Sequence, residues 1–184
     1  MPAFPRSELQ DMIDRFVAAN DKAGETGDWG PLADFYAKDA IYSWNNGPKH
    51  EFVARGRDEI RDFVFGTEMA GLEKWTYPYV RTLIDEQAGE VIGVWRQVAP
   101  VRRADGKPYE IAGTGGSWFR YGGNFQWVWQ RDFFDHANAG AAFMEMAKDG
   151  KLSEGMQRRM SQGSKAPGWV KLSEFDWYAT LPKE

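Results

Sequence analysis

The sequence predicts an α+β fold, a strongly bent antiparallel sheet with helices packed on its concave face. Three observations carry this. Residues up to about 69 show helical periodicity interrupted by short β-like runs; after Trp75 the pattern changes to long strands punctuated by Asp105-Gly106 and Gly122-Gly123; and glycines flanked by tryptophans in those strands mark a sheet that curves sharply.

Leu9, Met12, Ile13, Phe16 and Val17 recur at helical spacing, and Ser7 followed by Gln10 reads as a capping box, so the first helix begins there. Its apolar stripe runs on to Asn20 and Asp21, which puts polar groups on the buried side near the helix end. Gly30-Pro31 opens a short second helix through Leu32, Phe35 and Tyr36. Residues 40–44 read as a strand, Asn45-Asn46-Gly47-Pro48 as a turn, 51–55 as a short return strand, and 57–69 as a third helix with Ile60, Phe63 and Val64 inward.

Two-residue hairpin turns need positive φ, which glycine supplies, so 90–103, 107–121 and 124–134 become three antiparallel strands, preceded by a fourth over 77–84. Plain register then sets Trp95 beside Gly116, Gly116 beside Trp129, and Trp118 opposite Trp127. The Gly113, Gly115, Gly116 cluster is the expected site of a bend or bulge. Residues 138–148 end at Gly150 like a capped helix, and 153–160 suggest another. The tail from Gln162 is irregular, but Trp169, Phe175, Trp177 and Tyr178 argue that it docks. The reading is one domain over residues 1–184, with a helical and irregular extension from about 137.

A chain of 184 residues, 42% of them hydrophobic, suffices for a single core. A net charge of -4 gives no positive field for a phosphate backbone, which argues against nucleic acid as partner. Apolar runs such as 91–95 fall far short of the roughly 18 residues of a membrane helix. Residues 1–10 are charged and lack the apolar centre of a signal peptide, so a cytoplasmic location is expected. The absence of cysteine excludes disulfides, thiolate nucleophiles and zinc-thiolate sites, and His50 and His136 are too few for a histidine-rich metal site; no metal and no cofactor are expected. Trp 9, Tyr 7 and Phe 12, together 15% of the chain, fill a core and also suit a pocket for a flat apolar ligand.

Parity divides the meander into two faces. Trp95, Gln97, Trp118, Phe125, Trp127, Trp129, Arg131 and Phe133 share one. Val94, Arg96, Val98, Ser117, Val128, Gln130, Asp132 and Phe134 share the other. On the second face Arg96 and Asp132 converge over the small residues Gly113 and Gly115, as a polar reaction centre in a dry pocket would; an ordinary buried ion pair is the competing reading.

Gly27-Asp28-Trp29 through Phe35-Tyr36-Ala37-Lys38-Asp39-Ala40, and Gly56-Arg57-Asp58-Glu59-Ile60-Arg61 after a strand, resemble the nuclear transport factor 2-like superfamily in its SnoaL-like branch, over roughly residues 9–135. The resemblance implies a conical half-barrel with a deep pocket, and hosts isomerases, dehydratases, epoxide hydrolases, polyketide cyclases and non-enzymes. Against ketosteroid isomerases, the phenol donor, general base and protonated acid fall on Phe16, Trp44 and Ser117, so that chemistry is missing. Against limonene epoxide hydrolases, Asp132 and Arg96 match a catalytic aspartate and arginine, while Val98 replaces the second aspartate. Against dehydrochlorinases and scytalone dehydratases, Asn20-Asp21-Lys22 matches the segment of an orienting aspartate, and Trp75, Tyr77 and Tyr79 stand near where the histidine belongs. The long extension and aromatic richness also resemble cofactor-independent lyases of lignin-derived diaryl compounds.

The resulting expectation is a cofactor-independent acid–base enzyme, a lyase eliminating water or formaldehyde, or making a related C–C cleavage, on an apolar, aromatic small molecule such as a lignin-derived diaryl compound. Asp132 is the base or acid, Arg96 keeps it ionised, Asp21 is a second carboxylate and Tyr77 a proton donor; Tyr79, Trp44, Ser117, Gln130, Phe16 and Phe134 line the substrate pocket. The alternatives are an epoxide hydrolase using Asp132 and Arg96, and a non-catalytic small-molecule-binding protein. Trp95, Trp118, Trp127 and Trp129 on the outer face call for a cover, by a homodimer through that face or by the tail, the homodimer being favoured.

Overall fold

The computed structural model describes residues 4–181; residues 1–3, part of the charged amino-terminal stretch, and 182–184 lie outside them. Helix α1, Arg6–Thr26, buries Leu9, Met12, Ile13, Phe16 and Asn20 and stops at Gly27, whose positive φ of 81° lets its N–H return to the Ala23 carbonyl at 2.7 Å. The capping box expected at Ser7 does not form. The helix starts at Arg6 with Pro5 as its cap, which leaves Ser7 inside the first turn. A 3-10 helix, Gly30–Phe35, leads into β1, Tyr36–Asn46, and β2, His50–Arg55. A single turn, α2 (Gly56–Glu59), continues as a π-helix, Ile60–Glu68, that buries Ile60, Val64 and Glu68.

Four strands follow: β3 Tyr79–Asp85, β4 Glu90–Arg102, β5 Pro108–Tyr121 and β6 Trp127–Phe133. Helices α3, His136–Lys148, and α4, Glu154–Gln162, begin at the side-chain caps Asp135 and Ser153, and β7, Trp169–Lys171, closes the series. Together the strands make one open, curved sheet in the order β3-β4-β5-β6-β1-β2-β7. Every pairing is antiparallel except β1 with β6, which sequence patterning did not anticipate.

Two turns differ from expectation, and the difference decides which side chains face inward. The first hairpin pairs Arg102 with Pro108 and closes with the Arg103 N–H donating to the Lys107 carbonyl at 2.8 Å around a three-residue loop, 104–106, Gly106 taking φ 84°, where two residues were expected. That one-residue slip pairs Trp95 with Gly115 rather than Gly116, and reverses the facing of all of β4. The second turn lies two residues beyond Gly122-Gly123, with Asn124 and Phe125 at positive φ. It pairs Gly116 with Phe133 and Trp118 with Arg131, an even displacement that leaves the facing of Asp132 as expected. An irregularity between Arg120 and Tyr121 then turns Trp127 inward. As anticipated, the register also shifts across Gly113, between Ile111 and Gly115.

The outer face therefore carries Trp118 and Trp129, packed edge to face at 5.3 Å, but neither Trp95 nor Trp127. Part of it is covered by the tail: the Trp129 indole N–H donates to Thr180 Oγ1 at 3.0 Å, and Trp177 lies 4.4 Å under the Arg131 guanidinium. Inside, one core joins α1 to the sheet through Phe16, Phe119, Val91 and Trp127. A second core, of Trp75, Tyr109, Ile111, Ala142, Met146 and Met156, anchors α3 and α4. Among the described residues no helix is long and apolar enough to cross a membrane.

Candidate functional site

A cavity of about 160 Å³ opens between the two cores and is lined from both. Its sheet wall holds Asp132, projected inward from β6 by the alternation that also points Gln130 and Phe134 inward. The carboxylate is held by neutral donors. Tyr42 donates to Oδ2 at 2.6 Å; Ser117 and Gln130 donate to Oδ1 at 2.6 and 2.7 Å. Those donors are themselves fixed, since the Trp95 indole N–H reaches Ser117 Oγ at 3.0 Å and the Tyr36 hydroxyl donates to Gln130 Oε1. Among the described residues Oδ2 accepts from one donor, so a lone pair remains for a ligand.

Burial pushes the Asp132 carboxyl above the usual aspartate range, and its hydrogen bonds from Ser117, Tyr42 and Gln130, with the more distant Arg131, offset this only in part. The phenols around it are shifted the same way. Tyr36, Tyr42 and Tyr79 are raised first by burial and then by the charge of Asp132, and Tyr77 by burial against the pull of Arg159 and Gln97. They hold their protons at neutral pH; Tyr36 and Tyr42 donate to Gln130 and Asp132, while the Tyr77 hydroxyl accepts from Gln97. Asp132, one of two carboxyls on this cavity with Glu68, stands among neutral donors beside apolar walls, an arrangement suited to moving a proton on carbon.

The aromatic wall depends on two missing side chains. A Cβ on Gly93 would stand 2.3 Å from the Tyr79 ring, and one on Gly115 2.4 Å from the Trp95 ring, so each glycine lets a ring lie flat over the sheet. Asn20, on the stripe of α1, donates to the Tyr77 carbonyl at 2.9 Å and fixes the start of β3, while Gln97 donates to the Tyr77 hydroxyl at 3.2 Å.

Of the residues singled out from sequence, Asp132, Tyr77, Tyr79, Trp44, Ser117, Gln130, Phe16 and Phe134 meet around this one cavity. Arg96 does not. The slip in the first hairpin sends it outward, where it makes a bidentate pair with Glu110 at 2.6 and 2.7 Å and is half exposed. Asp21 is also outside: it is exposed at a surface groove beside Asp14 and Arg81, while its neighbour Asn20 turns inward. Trp95 and Gln97, assigned to the outer face, line the cavity.

Three polar residues of the lining were missed. Tyr42 shares the inward parity of Ala40 and Trp44 on β1, a legible signal. Glu68 lies four residues beyond Val64 and eight beyond Ile60 on the buried stripe of its helix, also legible. Arg159, from α4, has no such signature. Its Nη1 donates to the Glu68 carbonyl at 2.8 Å and stands 3.4 Å from Glu68 Oε2, while the Trp169 indole N–H holds Oε1 at 3.0 Å. Burial raises the Glu68 carboxyl above its usual range despite Arg159 and Trp169. Among the described residues no group of three or more His, Cys, Asp or Glu is placed to hold a metal ion.

The model of the SnoaL-like domain matches residues 5–141. A protein from Jannaschia sp. CCS1 assigned as a SnoaL-like polyketide cyclase superposes with a TM-score of 0.55 at 12% identity, over 76% of this chain and 96% of its own. A protein from Bacillus subtilis assigned as an isomerase gives 0.55 at 14%, over 77% and 96%. A protein of ketosteroid isomerase-like fold from Catenulispora acidiphila, in complex with trimethylamine, gives 0.53 at 14%, over 69% and 90%. At such identities the likeness is one of fold. No curated protein sequence matches the chain.

Proposed function

Because the chain belongs to the SnoaL-like family, its match running over residues 5–141, we propose that it is a cofactor-independent acid–base enzyme converting a small aromatic molecule, with Asp132 as the proton carrier. The observation that carries this is a carboxylate raised by burial, held by three neutral donors among the described residues, and open to an apolar cavity. Family membership supports a small-molecule-converting enzyme at a general level, and the names of the Jannaschia and Bacillus neighbours favour cyclisation or isomerisation.

The reaction we propose is an elimination. Asp132 takes a proton from a carbon acidified by an adjacent carbonyl or aryl group, the C–H electron pair becomes the new double bond, and the C–O bond on the neighbouring carbon breaks. Asp132 then hands the same proton to the departing hydroxide, so that water leaves and the carboxylate is restored. Tyr77 and Tyr79, which keep their protons, stabilise developing negative charge on oxygen by hydrogen bonding, while Tyr42 keeps its proton directed at Asp132. The volume is close to the roughly 150 Å³ that accommodates benzene, so one ring fits inside and the second ring of a diaryl substrate would lie at the mouth.

Isomerisation is the second reading, favoured by the same carboxylate, which can return its proton to a different carbon. Epoxide hydrolysis loses support because its arginine, Arg96, lies outside the cavity. Incubating the protein in D2O with aryl alcohols, aryl ketones and aryl epoxides tests all of these. Release of water or formaldehyde supports the lyase, deuterium incorporation with a moved double bond supports the isomerase, and binding without any exchange or product would leave a binding protein.

The outer face left bare by the tail, where Leu83 is 58% and Phe133 39% exposed around Trp118, is the surface we propose for a homodimer. Trp118→Glu should then shift sedimentation from dimer to monomer at micromolar concentration; a wild-type monomer would refute it.

A further inference from the structure

We infer that Arg159 forms a second polar pole of the cavity and binds a carboxylate on the substrate, at the end remote from the carbon that reacts at Asp132. This rests on the reading that Asp132 lies at the reaction site, and it narrows the substrate class to aromatic acids.

The first observation is the way this arginine is held. Three Arg–Glu pairs are made with two nitrogens: Arg96 with Glu110 at 2.6 and 2.7 Å, Arg103 with Glu145 at 2.7 Å twice, and Arg131 with Glu51 at 3.0 and 3.2 Å. Arg159 uses Nη1 alone, for one carbonyl and one distant carboxylate oxygen. Among the described residues nothing accepts from its Nε or Nη2, and neither nitrogen is sealed from solvent. A guanidinium lining a cavity with two adjacent free donors presents the planar fork that matches a carboxylate.

The second observation is position. The charge of Arg159 acts on Glu68 and Tyr77, whereas the cation that acts on Asp132 is Arg131. The two poles sit on different walls, one on the sheet and one on the helical side, with Tyr77 feeling both charges and the apolar side chains of Phe16, Phe65 and Met69 also lining the chamber. Glu68 does not fill the role of counter-ion completely, because Trp169 holds its other oxygen and burial favours its neutral form.

The third observation is origin. Arg159 and Trp169 lie beyond residue 141, where the family match ends, and the structural neighbours are matched over 90–96% of their own length with only 69–77% of this chain. The pole is an addition of the carboxy-terminal segment to a shared chamber.

Titration of tryptophan fluorescence with trans-cinnamate and its neutral isostere trans-cinnamamide, both flat one-ring molecules, tests the assignment. Wild-type protein should bind cinnamate about tenfold or more tightly than cinnamamide, the worth of hydrogen bonds to a charged group. Arg159→Met should erase that preference, Arg159→Lys should keep part of it, and Asp132→Asn should leave it in place. Failure of cinnamate to bind at millimolar concentration, equal affinities in the wild type, or a preference that survives Arg159→Met would each overturn the proposal. The wild-type pair decides the matter even if the Met variant does not fold. A preserved preference without turnover of any aromatic acid would instead count against the acid–base reading alone.

Discussion

Arg131 and Asp132 are neighbours on β6 and face opposite sides of the sheet, and the two sides compensate a buried carboxylate differently. On the outer side Glu51, 1% exposed, accepts from Arg131 at 3.0 and 3.2 Å, and Trp177 closes over the guanidinium. On the inner side Asp132 is satisfied by a phenol, an alcohol and an amide. A carboxylate matched to a fixed cation is committed to its charge, and removing the cation strands it. A carboxylate matched to neutral donors can take up a proton without stranding a cation, and burial brings its pKa toward working range. The outer arrangement serves structure; the inner one is suited to proton transfer.

The largest effect that would break this contrast is on rate. Asp132→Asn should lower kcat by about 10³-fold, within the usual 10²–10⁴ contribution of a positioned acid–base group, with circular dichroism unchanged. A loss below tenfold would place Asp132 with Glu51 as a structural group. The largest effect on stability belongs to the outer side: Arg131→Met should cost about 3–5 kcal/mol in urea unfolding, because Glu51 stays buried without its ion, while the folded fraction keeps its plateau kcat within a few fold.

Tyr42→Phe sharpens the inner side, and its sign follows from the hydrogen bond it removes. Asp132 must be ionised to accept a proton, so activity falls as pH drops through its folded pKa, which already lies above the ordinary aspartate value. The Tyr42 hydroxyl favours the ionised form; without it the pKa rises further and the acid limb of the kcat–pH profile moves to higher pH. An acid limb that stays put or moves down would mean that another group sets the profile.

Sequence patterning reached the inner carboxylate because β6 keeps strict alternation through Gln130, Asp132 and Phe134, and an even displacement in the second hairpin does not alter facing. The same reasoning failed for Arg96 because one extra residue in the Asp105-Gly106 loop reverses β4, and loop length is not written in a turn dipeptide. Helices came through from periodicity, apart from the start of α1, where Pro5 displaced the expected serine cap. Glu68 was legible on its helical stripe but was passed over as a charged residue, although a charge on a buried stripe is the informative case. Arg159 reaches the cavity through the packing of α4, a tertiary contact with no local periodicity behind it.

The smallest expected effect tests how far the two faces are independent. The tail touches the outer pair through the Trp177 ring and is tied down by the bond between Trp129 and Thr180. Trp177→Ala removes the ring and leaves the Arg131–Glu51 bonds in place, so the cost should be about 1–2 kcal/mol, the range of a cation–π contact that is largely shielded from water. Arg131 lowers the Asp132 carboxyl only as the last and weakest of the influences on it. Opening the outer face to solvent should therefore leave the acid limb of the kcat–pH profile unchanged within error while urea unfolding moves to lower denaturant. A shifted acid limb in Trp177→Ala would show that the tail tunes the inner carboxylate through the sheet, and would collapse the separation between a structural face and a chemical one.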